Sequence, residues 1–142
     1  MANSLTFTNE CFMESKGITS SIPPNTNFDV LTSSVSNRRV YGFAVLSSDN
    51  AIQTIKIYLN DGTNVCQIYT VSIPASSGTN GTAVVVDVFG STMGEAVFQK
   101  MRDTNGLAYF NLLAGWSIQM QYNTTFSTST ETITTHIFGE IY

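Results

Sequence analysis

The residues of this sequence that could do chemistry are few and far apart along the chain. The single histidine, His136, lies in a β-branched run beside Thr135 and Ile137. A hydrolase needs a nucleophile next to a base, or a pair of carboxylates in a cleft. The sequence has neither pattern, no Gly-x-Ser-x-Gly motif and no glycine-rich phosphate motif. A lone strand histidine is typical of a surface or interface, so we predict a non-enzymatic protein with no catalytic residue and no cofactor.

Three short acidic segments supply oxygen atoms of the kind that calcium prefers: Asp49-Asn50, Asn60-Asp61 and Asp103-Thr104-Asn105-Gly106. None has the spacing or the closing glutamate of a calcium loop. Asp, Asn and Gly are also the residues that turns use, because they tolerate left-handed backbone and bond their own main chain. Zinc lacks a plausible set of His and Cys ligands. We therefore predict turns in these segments and no metal site.

The two cysteines, Cys11 and Cys66, form at most one intramolecular pair. A disulfide is one interpretation. A chain of 142 residues buries a core large enough to be stable without a covalent bridge. Two buried free thiols, packing as small apolar side chains, are therefore the favoured interpretation.

The aromatic residues raise the question of a sugar-binding platform. Trp116 and Tyr122 fall on the inward side of an alternating run with Ile118 and Met120, which favours core packing. Tyr58 lies beside Lys56, on the face opposite its apolar strand neighbours, and is expected at the surface or at an interface. We take Tyr58 and Tyr69 as candidate interface residues. The remaining tyrosines considered for a platform are Tyr41 and Tyr109.

Charge and hydropathy limit the partners. Hydrophobic residues make up 42% of the chain and charged residues only 11%, with a net charge of −4. Phosphate binding needs a clustered basic face, and the basic residues here are scattered apart from Arg38-Arg39, so nucleic acid is not an expected partner. No apolar run approaches the roughly 20 residues of a membrane helix, and the first residues do not resemble a secretory signal. We expect a soluble protein made in the cytosol, with no membrane partner.

The elements that position these residues are strands. Residues 38–73 contain three β-branched and aromatic runs separated by turn clusters, the second of which contains Asn60-Asp61-Gly62. Both faces of the first run are apolar, which predicts a central strand covered on both sides. The expected faces of that strand are Tyr41, Phe43 and Val45 on one side, and Val40, Ala44 and Leu46 on the other.

The rest of the chain continues the same pattern. Residues 103–106 predict a hairpin, and 116–122 and 132–142 predict two further strands. Leu5 to Thr8 is a possible strand, while Glu10 to Lys16 fits a helix or an extended segment. We predict an all-β fold with little helix: an antiparallel, jelly-roll-like β-sandwich of about eight strands. Residues 1–21 form an N-terminal arm or edge strand, and 22–142 form the sandwich domain.

The order of turn and strand motifs from Ser21 to Gly115 resembles a known group of proteins. The motifs, in order, are Ile22-Pro23-Pro24-Asn25-Thr26, Asn37-Arg38-Arg39-Val40, Ile57-Tyr58-Leu59-Asn60-Asp61-Gly62, Val71-Ser72-Ile73-Pro74-Ala75, Val86-Asp87-Val88, Asp103-Thr104-Asn105-Gly106 and Leu113-Ala114-Gly115-Trp116. The resemblance is to small β-sandwich structural proteins of tailed bacteriophages, including auxiliary or decoration proteins of the capsid. It covers about two thirds of the chain and brings no catalytic residues.

This resemblance implies a non-enzymatic virion protein that is assembled in the host cytoplasm. Its expected partners are the major capsid protein or other virion proteins, and the chain is expected to be a homo-oligomer. A receptor- or carbohydrate-binding module of a phage fibre or tail is the alternative, suggested by the aromatic residues and the Ser/Thr/Asn loops. An enzyme is the third interpretation, suggested only by the acidic loops.

Overall fold

The computed structural model of the protein describes residues 10–88, 101–102, 106 and 108–142. These residues form ten strands and no helix. The strands are β1 (Cys11–Ile18), β2 (Phe28–Leu31), β3 (Arg38–Ser47), β4 (Gln53–Asn60), β5 (Val65–Ile73), β6 (Val86–Asp87), β7 (Met101–Arg102), β8 (Ala108–Leu112), β9 (Ser117–Tyr122) and β10 (Ile133–Ile141).

The strands form two antiparallel sheets. Sheet A has the order β1-β10-β3-β8-β7, with β6 also paired to β3, and sheet B has the order β2-β9-β4-β5. The eight longer strands give two four-stranded sheets between which the chain repeatedly crosses, and this is the strand order of a jelly roll. The prediction of an all-β, jelly-roll-like sandwich is confirmed.

Alternating apolar residues build the core between the sheets. Ile55 and Ile57 of β4 and Ile118 and Met120 of β9 are buried on the inner face of sheet B, as the two-residue period predicts. Tyr122 continues the β9 pattern, stacks on Phe126 and is also buried. Trp116 departs from it, since it precedes β9 and is only half-buried, while Ser117 is buried.

A β-bulge in β3 changes the predicted faces of the central strand. Gly42 pairs with Phe138 and Val40 pairs with Gly139, so the register shifts by one residue at Tyr41. The shift turns Val40 into the core together with Phe43, although their spacing had placed them on opposite faces. The central position of β3 is as predicted. Its outward residues Ala44 and Leu46 are only half-buried.

The two alternatives for the N-terminal region resolve in favour of an extended segment. Residues 11–18 form β1, an edge strand paired with β10, and the possible strand at Leu5 to Thr8 lies outside the described residues. β7 and β8 pair antiparallel, which agrees with the predicted hairpin, while residues 103–105 of its turn lie outside the described residues. The boundary between residues 1–21 and 22–142 stays a prediction.

Candidate interaction surfaces

The histidine lies on the outer face of sheet A. Ser15 of β1 and His136 of β10 are register partners, and the Ser15 Oγ and His136 Nδ1 atoms are 2.7 Å apart. A serine beside a histidine resembles part of a nucleophile and base pair. This pair stands on an open sheet face rather than in a cleft, and Nδ1 is already bonded to the hydroxyl. The arrangement fits a surface histidine held by its neighbour.

The first acidic segment forms a buried hydrogen-bond hub. The Asp49 carboxylate accepts bonds from Gln53 Nε2 at 2.7 Å, Ser127 Oγ at 2.5 Å and the Ala51 amide at 3.1 Å, and its main-chain carbonyl accepts the Ser76 amide. Burial alone would raise the pKa of Asp49, but the bonds from Ser127 and Gln53 outweigh it and lower that pKa. Asp49 thereby joins three loops (48–52, 74–85 and 123–132) at what we call the hub end of the sandwich.

The second acidic segment is a turn, as predicted. Asp61 Oδ1 accepts the Thr63 amide at 2.8 Å and the Asn64 amide at 2.6 Å, and Gly62 adopts a φ of 92°. The two amide bonds lower the pKa of Asp61. Within the described residues, no cluster of three His, Cys, Asp or Glu side chains is placed to hold a metal ion. The segment at 103–105 lies outside them.

The cysteines are free, as favoured, but their predicted burial is wrong. Both Cys11 and Cys66 are exposed. They lie near the starts of edge strands of different sheets, β1 and β5, where the strand ends meet solvent.

The tyrosine candidates lie in different environments. Tyr69 is 5% exposed in the core, opposite Ile57 and on the same face of β5 as the buried Ile73. Tyr58 is half-buried on the outer face of sheet B, where its hydroxyl lies 3.4 Å from Gln121 Oε1. An interface role for Tyr58 stays a prediction, and Tyr69 contributes to core packing.

The outer face of sheet A carries exposed apolar side chains beside the Ser15–His136 pair. Met13 of β1 is 72% exposed and pairs with Phe138 of β10, which is 36% exposed. The Phe138 ring covers Gly42 so closely that an added Cβ there would lie 2.0 Å from the ring. Ala44 and Leu46 continue this face along β3. The register therefore places the exposed Met13 and Phe138 side chains together, with the Phe138 ring over the small residue Gly42.

The charged residues at one side of this face neutralise each other. Arg39 donates to Glu140 at 2.9 Å, and its guanidinium stacks over Tyr142 at 4.6 Å and over Tyr109 at 5.1 Å. The hydrogen bond to Glu140 raises the pKa of Arg39. Tyr41 also donates to the same carboxylate. The cluster presents aromatic edges to solvent and little net charge.

The outer face of sheet B is polar by contrast. Gln121 Nε2 donates to Asn27 at 2.8 Å, and Gln119 Nε2 donates to Asp29 at 2.9 Å. Lys56 lies on the same face of β4. These amide and carboxylate side chains bond to one another across sheet B.

The end of the sandwich opposite the hub contains a pocket. We call it the open end, formed by loops 32–37, 61–64 and 113–116. The Gly115 amide donates to the Ser34 carbonyl at 2.7 Å, which joins the first and third loops. The pocket has a volume of about 200 Å³ and opens to solvent. Its lining residues are Leu59, Asp61, Asn64, Cys66, Ile68 and Trp116.

The sequence predicted neither the apolar surface at Met13 and Phe138 nor the pocket at the open end. The Phe138-Gly139 pair on the last strand was one available signal, since a glycine in a strand often marks a bulge or a close backbone approach. The pocket had no local signal, because Trp116 and the β4–β5 hairpin meet only in the fold. In the described part of the chain, no helix is long and apolar enough to span a membrane.

Comparisons with known proteins show a distant structural similarity. No protein-family model matches the chain, and no curated protein matches its sequence. Among solved structures, the chain is similar to a chain of "Cyanophage Pam1 capsid asymmetric unit", with 16% sequence identity and a TM-score of 0.46. The alignment covers 100% of this chain and 93% of that chain. A similarity this distant does not by itself establish a shared function.

Proposed function

We propose that this chain is a non-enzymatic structural protein of a bacteriophage virion, bound to the capsid surface as an auxiliary or decoration protein. The observation that carries the proposal is the outer face of sheet A, where Met13 and Phe138 stand exposed above Gly42. Exposed apolar patches of this kind mark protein–protein contacts. Viral capsid proteins are among the proteins that use the jelly roll.

The low charge of this face suits packing against a repeated lattice. Lys and Glu are depleted at protein interfaces because their desolvation is costly. On sheet A, the Arg39–Glu140 pair is already made within the chain. Its contacts with a partner would therefore be modest and mostly apolar. Many copies on one particle raise the overall affinity through multivalency.

We also infer the partner of the chain and its location. The partner is the major capsid protein or another virion protein, and the chain acts as a homo-oligomer in the virion, after assembly in the host cytoplasm. The two unlike sheet faces support a sided attachment, with sheet A toward the partner and the amide-covered sheet B toward solvent.

The test is binding to purified particles of the virus that encodes this chain. The purified protein should co-sediment with particles, and Met13→Glu should reduce binding by at least about tenfold, since a buried carboxylate would lose its hydration. Ser72→Glu is the matched control, because Ser72 is also exposed on an edge strand but belongs to sheet B. Absence of the protein from particles would reject the proposal, and equal loss for both variants would reject sheet A as the contact.

A receptor- or carbohydrate-binding module of a phage fibre or tail is the second candidate. The specific observation in its favour is that Trp116 lines a solvent-open pocket together with Asp61 and Asn64, which can hydrogen bond. Binding on a glycan array that is lost in Trp116→Ala would support it. An array without hits would remove it.

A further inference from the structure

The pocket at the open end has an apolar wall and a polar rim. Leu59, Ile68 and Trp116 are half-buried and supply most of the wall, and Cys66 is exposed beside them. The register shift in β5 falls at Ile68, which is how this side chain reaches the pocket while Tyr69 enters the core.

The size of the pocket limits what can fill it. Sites for cofactors and drug-sized ligands have volumes of roughly 300–1,000 Å³. A cavity on the order of 150 Å³ is enough for a benzene ring. At about 200 Å³, this pocket matches one bulky apolar side chain. Val35 and Leu113, both exposed, lie in two of the loops of this end and extend its apolar surface.

The rim of the pocket carries the negative charge of Asp61, which favours a particular residue next to the apolar side chain that enters the pocket. Asp61 is ionised, and its Oδ1 atom already accepts two turn amides. Among the described residues, the Oδ2 atom has only a 3.5 Å contact, with Asn64 Nδ2. A carboxylate offers about four acceptor sites, so Oδ2 retains capacity for a donor from outside. A lysine or arginine is the complementary neighbour.

We propose that this pocket receives a single bulky apolar side chain of the partner protein, of the leucine or phenylalanine class, with a lysine or arginine next to it in sequence. This inference rests on the proposed function and deepens it, because it names the chemistry that the open end recognises on the capsid protein. Such an anchor in a pocket, surrounded by weaker contacts, is the usual source of interface affinity.

The chain provides its own reporter for the test. Trp116 is the only tryptophan, so intrinsic tryptophan fluorescence reads the pocket directly. The probes are blocked dipeptide amides: acetyl-Leu-Lys, acetyl-Leu-Glu and acetyl-Gly-Lys. Acetyl-Leu-Lys should shift the emission with millimolar affinity, since one side chain buries little area. Acetyl-Leu-Glu should bind about two- to threefold more weakly at low salt, and acetyl-Gly-Lys should not bind.

Variants of the apolar wall and of the charged rim test the contribution of each to binding. Cys66→Phe fills the pocket with the protein's own ring and should abolish the shift, whereas Gln67→Phe places the same ring at the next position of β5, outside the pocket lining. Asp61→Asn keeps the turn amides satisfied and removes the charge, so it should make Leu-Lys and Leu-Glu bind equally. Equal binding of all three dipeptides to the unmodified protein would overturn the proposal.

Other occupants are distinguishable in the same experiments. A shift with methyl glucoside but not with acetyl-Leu-Lys would assign the pocket to a sugar and overturn the inference. Sedimentation in which Cys66→Phe dissociates an oligomer, without any dipeptide response, would assign it to a second copy of the chain and also overturn it.

Particle binding then separates this inference from the proposed function. If the unmodified protein binds particles and Cys66→Phe binds them equally well, the pocket proposal fails while the virion role stands. If the unmodified protein does not bind particles but acetyl-Leu-Lys still shifts the emission, the virion role fails while the specificity of the pocket stands. Loss of particle binding in Cys66→Phe, with Gln67→Phe unaffected, supports both.

Discussion

The two ends of the sandwich use polar groups in opposite ways. At the hub end, Asp49 is buried and its carboxylate is surrounded by donors from its own loop and from Ser127. At the open end, Asp61 is exposed and, within the described part of the chain, its carboxylate bonds only within its own turn, beside an apolar pocket. A buried carboxylate must be satisfied inside the chain, whereas an exposed one leaves capacity for a partner. The hub end therefore serves the fold, and the open end is available for binding.

Removing the hub should have the largest effect on stability. Asp49→Ala leaves the donors of Gln53, Ala51 and Ser127 without their acceptor, and we expect a loss of about 2–4 kcal/mol in the free energy of unfolding. Urea denaturation followed by circular dichroism measures it. Ser127→Ala, which removes one donor and keeps the carboxylate, should cost less. Equal losses for both variants would show that Asp49 is not the centre of the network.

The pH dependence of stability sharpens the same contrast. The pKa of Asp49 is lowered in the folded chain, so its contribution is fully present above the unfolded pKa of about 4 and is lost as pH falls through the folded pKa. We expect the stability difference between the unmodified protein and Asp49→Asn to shrink below about pH 4. The effect is smaller than that of Asp49→Ala, because a protonated carboxyl still accepts hydrogen bonds. A difference that stays constant from pH 7 to 3 would contradict this account.

The open end should tolerate changes that the hub end does not. Trp116 is half-buried, so Trp116→Ala should lower the free energy of unfolding by only about 1 kcal/mol. The same urea titration measures this value. A loss as large as that of Asp49→Ala would mean that the pocket wall is part of the core, and the contrast between the two ends would disappear.

Local patterns predicted the elements that depend on local physics. The alternation in β4 and β9 and the Asn60-Asp61-Gly62 turn follow from side-chain period and backbone preference, and the structure has them. The bulge at Tyr41 did not follow from the alternation, because the two-residue period of β3 contains no sign of an inserted residue. Because of this bulge, Val40 was predicted on the wrong face of β3.

The functional surfaces depended on long-range pairing and were mostly out of reach. Met13 and Phe138 come from opposite ends of the described chain and meet only because β1 pairs with β10. Ser127 reaches Asp49 in the same way. Cys66 was expected to be buried because thiols usually are, but its place at the start of an edge strand exposes it. A sequence without an alignment indicates which residues are apolar, and the fold decides which of them face solvent.

The place of β10 in sheet A has a consequence for synthesis. This late strand lies between β1 and β3, so the first strand has no neighbour in its sheet until β10 has left the ribosome. Folding that waits for such distant pairings is slow. Translation that stops before β10 therefore yields a chain in which β1 has no partner in its sheet and this sheet cannot close.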